Sequence, residues 1–216
     1  SDEGARVQGD LVARAQQAGV RVLGPNCLGF MNLADKVFAT FSPVVGQGVA
    51  KAGRIGLVSQ SGAYGAYAFT LARERGLGLS YWITTGNGCR DGRKLERALA
   101  DARAAGKPVV ITKVGRTEIG AQAAASHTAA LAGEDAVFDA VFRQYGVYRA
   151  HSIEEFFDIG YAVSVAGLPK NANLGVFTVS GGAGVLIADA ADEAGLTLPE
   201  LSETGQQRIR ELVPFA

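Results

Sequence analysis

Cysteine and histidine are scarce in this 216-residue chain, which holds two of each: Cys27 and Cys89, His127 and His151. No CxxC pair occurs. That excludes a disulfide framework or a zinc site of the usual spacing, and it fits a reducing, cytoplasmic setting. No cysteine, aspartate or second histidine stands close to His127 in sequence, so the chain writes no metal-ligand set around it. Charge of one sign is missing too, with 21 Lys and Arg against 21 Asp and Glu. No basic stripe with interleaved aromatics is present, so nothing points to nucleic acid, and any anionic ligand must be held by local groups. No apolar run approaches the ~20 residues of a membrane span, and the acidic start Ser1-Asp2-Glu3 is unlike a signal peptide. These first residues read as the middle of a longer protein.

What the chain does have is glycine, 29 residues of it, in a composition that is 48% hydrophobic and 8% aromatic. This suits an α/β protein rich in alanine and glycine, long enough to bury a core in one large or two small domains. Helical spacing of Val7, Leu11, Val12 and Ala15 predicts a helix over 3–18, stopped by Gly19, and Val20-Arg21-Val22-Leu23 reads as a short strand. A helix leading straight into a strand is an odd opening for a doubly wound sheet, so residues 1–45 read as the tail of a larger domain. Residues 38–53 lack periodicity, contain Pro43, Gly46, Gly48 and Gly53, and read as a connector.

Strand and helix then alternate: strand 54–59, turn 60–62, helix 63–75, strand 79–84, helix 93–105, strand 108–113, helices 135–145 and 153–166. Such alternation predicts a mostly parallel sheet. Gly167-Leu168-Pro169-Lys170 reads as a linker. A third unit follows over 171–216, with a strand over 174–179, the turn 180–184 and a helix to Ala194.

Two segments share one plan. Arg54-Ile55-Gly56-Leu57-Val58-Ser59-Gln60-Ser61-Gly62-Ala63 and Asn173-Leu174-Gly175-Val176-Phe177-Thr178-Val179-Ser180-Gly181-Gly182-Ala183-Gly184 each run from a strand through a serine-glycine turn into a long helix. A glycine-rich turn lets backbone N–H groups approach an anion, and the helix dipole adds about half a positive charge there. Serine hydroxyls add donors without net charge. A single copy is equally well an ordinary N-cap. His127 sits in Ala124-Ala125-Ser126-His127-Thr128-Ala129-Ala130-Leu131-Ala132-Gly133, where small neighbours leave an imidazole uncrowded and nucleophilic. A lone histidine in an alanine-rich run is also an ordinary residue of a helix end. Two anion-ready turns facing that imidazole would stabilise a phosphoryl group on it.

Other residues have plainer readings. His151 precedes Ser152-Ile153-Glu154-Glu155, a capping box, and is structural. Arg90, Asp91 and Arg93 form a solvated charged turn. Trp82, Tyr64, Tyr67 and Phe69 read first as a core stripe, and Cys27 as a small buried thiol.

Six motifs occur in order: Gly24-Pro25-Asn26-Cys27-Leu28-Gly29, Ser59-Gln60-Ser61-Gly62-Ala63, Thr85-Gly86-Asn87, Lys113-Val114-Gly115-Arg116, Ser126 through Gly133, and Val179-Ser180-Gly181-Gly182-Ala183-Gly184. Together the chain resembles the α-subunit-like part of the NDP-forming acyl-CoA synthetases, of the acetate–CoA ligase type, in the succinyl-CoA synthetase superfamily. The resemblance implies an α/β fold in three parts. A partial Rossmann-like CoA-binding domain spans 1–45, a flavodoxin-like parallel sheet 46–166, and a small α/β ligase unit starts at 171. It also implies an activity: acid, CoA and NTP are interconverted with acyl-CoA, NDP and phosphate through an acyl phosphate and a phosphohistidine.

On that resemblance His127 matches the phosphorylated histidine. Ser59, Gln60, Ser61 and Gly62 match one phosphate-binding turn, and Ser180, Gly181, Gly182, Ala183 and Gly184 match the other. Asn26, Cys27, Thr85, Gly86 and Asn87 match loops at the CoA end of the site. ATP or GTP, their diphosphates and Mg2+ would be held by ATP-grasp domains or a β subunit outside these residues, so a homo- or hetero-oligomer is implied. No membrane or nucleic-acid partner is expected.

The resemblance also places a further helix, a strand and a histidine-orienting glutamate ahead of Gly88-Cys89-Arg90-Asp91-Gly92-Arg93-Lys94, yet here Asn87 meets Gly88 directly. The expectation is that residues have dropped out at this junction; a Cα separation near ~3.8 Å implies a true deletion. Two rival readings are a CoA- or acyl-CoA-sensing regulatory module, against which retention of His127 counts, and a bare flavodoxin-like domain binding flavin or nucleotide.

Overall fold

Four of the described helix starts are capped by serine hydroxyls, at Ser61, Ser152, Ser180 and Ser202, and the two described sheets are built from short apolar runs. In the computed structural model, which describes residues 2–89, 92–128 and 134–213, these signals organise two units, Ser1–Gly167 and Leu168–Ala216. The unit boundary falls in the linker expected from Gly167-Leu168-Pro169-Lys170.

The first unit opens with helix α1 (Asp2–Gln17). A four-stranded sheet follows, in the order β2-β1-β4-β3, built from β1 (Gly29–Asn32), β2 (Val37–Thr40), β3 (Ala52–Ser59) and β4 (Leu79–Thr84). Helix α2 (Gly62–Glu74) joins β3 to β4, which pair in parallel. Helix α3 (Gly92–Ala104) leads to β5 (Val110–Thr112), and α4 (Glu118–Thr128) and α5 (Asp135–Tyr145) lead to β6 (Tyr148–Ala150). Strands β5 and β6 form a separate two-stranded parallel sheet, and helix α6 (Ile153–Ala166) packs against β3, β5 and β6.

The elements from 54 to 166 follow the periodicity of the sequence closely, but the expected mostly parallel sheet is mixed. Its antiparallel pairs come from a hairpin, β1 with β2 and β1 with β4, partly inside the stretch read as a connector. Each strand of that hairpin has only four residues, too few for alternation to register. Its turn is instead fixed by side chains: Asn32 accepts from the Asp35 N–H at 3.1 Å and donates to the Asp35 carboxylate at 2.7 Å and to the Tyr81 hydroxyl at 3.1 Å. The hairpin lies in the same sheet as β3 and β4.

Two expected strands do not form. Residues 20–23 and 174–179 are irregular, apart from one bridge between Asn173 and Thr197. Both segments have strand-forming residues but no neighbouring ladder, and backbone groups stay in water when no partner strand offers bonds. The 174–179 run accordingly leaves Phe177 81% and Val179 101% exposed.

The core of the first unit lies between α2, α6 and the four-stranded sheet. Met31, Leu57, Ala68, Phe69, Ala72, Leu79, Trp82 and Phe157 are buried there. Trp82 meets Phe69 edge-on at 6.0 Å between ring centroids, and its indole N–H donates to the Gly65 carbonyl at 2.7 Å. Full burial of each such ring is worth roughly 2–3 kcal/mol. Thus Trp82 and Phe69 are core, as read, whereas Tyr64 and Tyr67 are exposed on α2. The second unit holds α7 (Gly181–Glu193) and α8 (Glu203–Leu212), of which Ala191 is the buried residue in the described core.

Candidate functional site

The first serine-glycine turn is built by a short ladder of hydroxyls. Ser59 Oγ donates to the Ser61 carbonyl at 2.8 Å, and Ser61, the N-cap of α2, accepts from the Tyr64 N–H through its Oγ at 3.3 Å. The Gly65 N–H closes the first helical turn on the Ser61 carbonyl at 2.9 Å. Gly65 has to be small: a Cβ there would lie 3.0 Å from both Ser59 Cβ and Thr84 Cγ2. The cap leaves the N–H groups at the very start of the helix pointing outward, as in any helix of this kind.

The second turn repeats this construction atom for atom. Thr178 Oγ1 donates to the Ser180 carbonyl at 3.2 Å, Ser180 Oγ accepts from the Ala183 N–H at 3.3 Å, and the Gly184 N–H returns to the Ser180 carbonyl at 3.0 Å. A Cβ on Gly184 would lie 3.3 Å from Thr178 Cγ2. The signal for this was present in the sequence as hydroxyl-x-Ser-Gly, although the role of Ser59 and Thr178 as bracing groups was not foreseen.

Electrostatics separate these two helices from most others. Helices α4, α5, α6 and α8 carry Glu118, Asp135, Glu154 with Glu155, and Glu203 in their first turns, while α2 and α7, like α3, carry no acid there. An acid in the first turn compensates the positive end of the dipole. At α2 and α7 that end is left for another anion.

Around the first turn the structure gathers three of the expected segments. The Thr85 N–H donates to the Ser59 carbonyl at 2.8 Å, Gly86 to Gln60 at 3.1 Å, and Asn87 to the Pro25 carbonyl at 2.9 Å. Gly86 is required by space and by conformation: its φ is +52°, and a Cβ would sit 2.1 Å from the Asn26 carbonyl oxygen. Leu28 closes over Gly62, where a Cβ would meet Leu28 Cγ at 2.8 Å, and its N–H donates to Thr84 Oγ1 at 2.8 Å. Thr84 is fully buried and passes its own proton to the Gly29 carbonyl at 3.0 Å. Asn26, Ser59–Gly62 and Thr85–Asn87 therefore form one cluster at the ends of β3 and β4. Leu28 and Thr84 are its unforeseen clamps. The buried Thr85 hydroxyl has no hydrogen-bond partner among the described residues.

Cys27 is half-buried rather than buried, with its thiol turned to the Leu23 carbonyl at 3.5 Å. His151 is structural, as read: the Ser152 hydroxyl caps α6 through the Glu155 N–H at 3.0 Å, and Glu155 accepts from the His151 N–H at 2.6 Å. Its ring accepts at Nδ1 from Arg116, 2.5 Å away. Lys113, from the Lys113-Val114-Gly115-Arg116 motif, bonds Asp135 at the start of α5 at 3.2 Å and lies 4.7 Å over the Phe138 ring. Arg149 binds the same carboxylate at 2.7 Å and also reaches Asp139. The hydrogen bond from Arg149, then that from Lys113, holds Asp135 below the usual carboxylate range.

His127 lies on α4, one residue before its last. Its side chain, residues 129–133 of its motif, and Arg90 and Asp91 lie outside the described residues. Ser180–Gly184 belongs to the second unit. Among the described residues no cluster of three His, Cys, Asp or Glu side chains is placed to hold a metal, and no helix is long and apolar enough to cross a membrane.

Comparison with known proteins adds independent weight. The family model described as "Succinyl-CoA ligase like flavodoxin domain" matches in two pieces, residues 52–90 and 87–163. An ADP-forming acetate–CoA ligase I of Archaeoglobus fulgidus is 36% identical over 239 aligned residues, which take in 98% of this chain and 34% of the relative. The α subunit of ADP-forming acetate–CoA ligase II of Pyrococcus furiosus is 35% identical over 240 residues, covering 99% of this chain and 51% of the relative. Both aligned spans are longer than the chain itself, so each relative has residues inside the span with no counterpart here. The dinucleotide-forming acetyl-coenzyme A synthetase 1 of Ca. Korarchaeum cryptofilum, solved with phosphate and ADP, superposes with a TM-score of 0.84 at 32% identity, over 98% of this chain and 51% of that one. The chain thus spans between a third and a half of these relatives. With the model matched from residue 52 to residue 163 and the relatives aligned along almost its whole length, the chain belongs to the family of the succinyl-CoA ligase like flavodoxin domain.

Proposed function

We propose that this chain is the α-subunit-like part of an NDP-forming acyl-CoA synthetase, and that His127 carries the phosphoryl group between nucleotide and acyl substrate. The observation that carries the reading is the duplicated turn: two serine-capped, glycine-opened helices, neither with an acid in its first turn, in one chain with a histidine set in an alanine-rich run. Outward N–H groups and serine hydroxyls suit a phosphate, since they supply donors without the desolvation cost of a buried cation.

In the direction of acyl-CoA synthesis, an imidazole nitrogen of His127 attacks the terminal phosphorus of NTP and NDP leaves. The carboxylate oxygen of the acid then attacks the phosphohistidine phosphorus, freeing the imidazole and forming an acyl phosphate. The CoA thiolate attacks the acyl carbon, and inorganic phosphate departs. Ser59–Gly62 and Ser180–Gly184 would hold the phosphoryl oxygens through backbone N–H groups, where fixed dipoles favour the charge that spreads onto them in transfer. Asn26, Thr85, Gly86 and Asn87 would line the CoA end, with the unpartnered Thr85 hydroxyl a free donor. Nucleotide and Mg2+ belong to ATP-grasp domains of a partner subunit or of the rest of the protein, in a cytoplasmic hetero- or homo-oligomer.

The test is incubation with the ATP-grasp part of a relative and ATP labelled at its terminal phosphate. The expected product is acid-labile, base-stable label on this chain, absent from His127→Asn; label that survives this substitution contradicts the proposal.

A further inference from the structure

Leu28 takes no part in the chemistry proposed for this chain, yet both of its backbone groups are held by threonine hydroxyls from different strands. Its N–H donates to Thr84 Oγ1, at the end of β4, at 2.8 Å, and its carbonyl accepts from Thr40 Oγ1, at the end of β2, at 2.6 Å. Each threonine is fixed in turn. Thr84 is fully buried and donates to the Gly29 carbonyl at 3.0 Å, and Thr40 Oγ1 accepts from the Ser42 N–H at 3.0 Å. A residue gripped on both sides of its Cα has little freedom to shift.

The Leu28 side chain rests on α2. A Cβ on Gly62 would lie 2.8 Å from Leu28 Cγ and 3.1 Å from its Cδ1, and a Cβ on Gly65 would lie 3.0 Å from Thr84 Cγ2. The first turn of α2 is therefore seated at two glycines, one against Leu28 and one against the methyl group of the threonine that holds Leu28. The N–H groups of Gly62 and Ala63, which no carbonyl of the helix can reach, begin at this seat. Donors fixed before an anion arrives need no reorganisation, and a hydrocarbon wall beside them strengthens each contact by keeping water away.

A second group supports an anion at this turn. Thr85 is 7% exposed, its hydroxyl has no hydrogen-bond partner among the described residues, and its N–H donates to the Ser59 carbonyl of the turn at 2.8 Å. A buried hydroxyl of this kind calls for a partner.

We infer that Leu28 is a positioning residue for phosphate at Ser59–Gly62: through Gly62 it sets the place of the turn's free N–H groups, while Thr84 and Thr40 set the place of Leu28. The inference rests on the proposed reading of that turn as a phosphate holder. It also gives the hairpin of β1 and β2 a function in the site, since β2 reaches the turn through Thr40 and Leu28.

The test is titration of this chain with inorganic phosphate, followed at the amide resonances of 61–63 and 181–184. Phosphate should shift the amides of Gly62 and Ala63. Leu28→Ala should weaken this binding about tenfold, and Thr84→Val, which keeps the shape but loses both hydrogen bonds, by about threefold. Leu28→Met should leave it unchanged, and the response at 181–184 should be the same in all three variants. Gly62→Ala should weaken binding more than Leu28→Ala/Gly62→Ala does, because the second substitution removes the atoms that the new methyl group strikes. Such a rescue reports the contact itself and not general stability. The inference is overturned if the amides of 62 and 63 do not respond to phosphate, if Leu28→Ala binds as the unsubstituted chain does, if both turns lose affinity alike, or if the double variant shows no rescue. Labelling of His127 is not read, so a turn that behaves as described beside a histidine that takes no label would keep this inference and remove the proposed activity.

Discussion

The turns at Ser61 and Ser180 are the same device in two settings. Both use a hydroxyl two residues ahead of the cap, a serine cap, and a glycine four residues on. The first is locked into a sheet, with Thr85 and Gly86 bonded to its backbone, Leu28 closed over Gly62 and Trp82 bonded to Gly65. The second follows an exposed, unpaired segment in which Phe177 and Val179 face solvent. Local sequence is therefore enough to build the cap, and neighbouring strands are needed to hold it in place.

The sharpest way to break this comparison is Trp82→Ala. Loss of the buried ring and of its bond to Gly65 should destabilise the first unit by about 3–5 kcal/mol, while leaving the helicity of 181–193 unchanged, as read by segment-resolved hydrogen exchange. Next comes the glycine pair. Gly65→Ala forces a methyl against Ser59 and Thr84 and should cost about 1–3 kcal/mol. At Gly184 the same change meets only Thr178 Cγ2, so the helix-propensity gain of up to about 1 kcal/mol offsets the crowding; urea denaturation of both variants checks the contrast. Ser61→Ala and Ser180→Ala remove equal caps and should each cost about 1 kcal/mol. Unequal losses would show that the two turns are not equivalent.

The smallest effect concerns pH. Because the folded value of Asp135 is lowered by Arg149 and Lys113, its stabilising contribution is present above the unfolded carboxylate value of roughly 4 and is lost as pH falls through the folded one. Asp135→Asn should flatten that part of the acid dependence of the urea midpoint and leave the neutral limb's slope unchanged.

Much of this was legible from residues alone. Helices α2, α5 and α6 and strand β4 follow from the alternation of strand and helix patterns in the sequence, and the caps at Ser61, Ser152 and Ser180 follow from their position before glycine or ahead of Glu155. The hairpin of β1 and β2 was not legible, because four-residue strands carry too little pattern and its turn depends on Asn32 and Asp35 side chains. Val20 to Leu23 and 174–179 failed for the opposite reason: their residues favour strands, but pairing is a property of two segments, and among the described residues only the single bridge at Asn173 and Thr197 forms beside them. At the site, the serine turns and the Thr85–Asn87 loop could be named from sequence. The clamps Leu28 and Thr84 could not, since their roles arise only where β1 and β4 meet.

The central claim is the proposal that His127 carries the phosphoryl group in transfer. Its most direct test is to locate the group by alkaline-stable peptide mapping and mass spectrometry after incubation with ATP and the ATP-grasp part of a relative. Phosphate on the peptide containing His127, and at reduced yield in Ser61→Ala and Ser180→Ala alike, is the predicted result. Phosphate on His151 or on a serine, or full yield in both cap variants, would contradict the account.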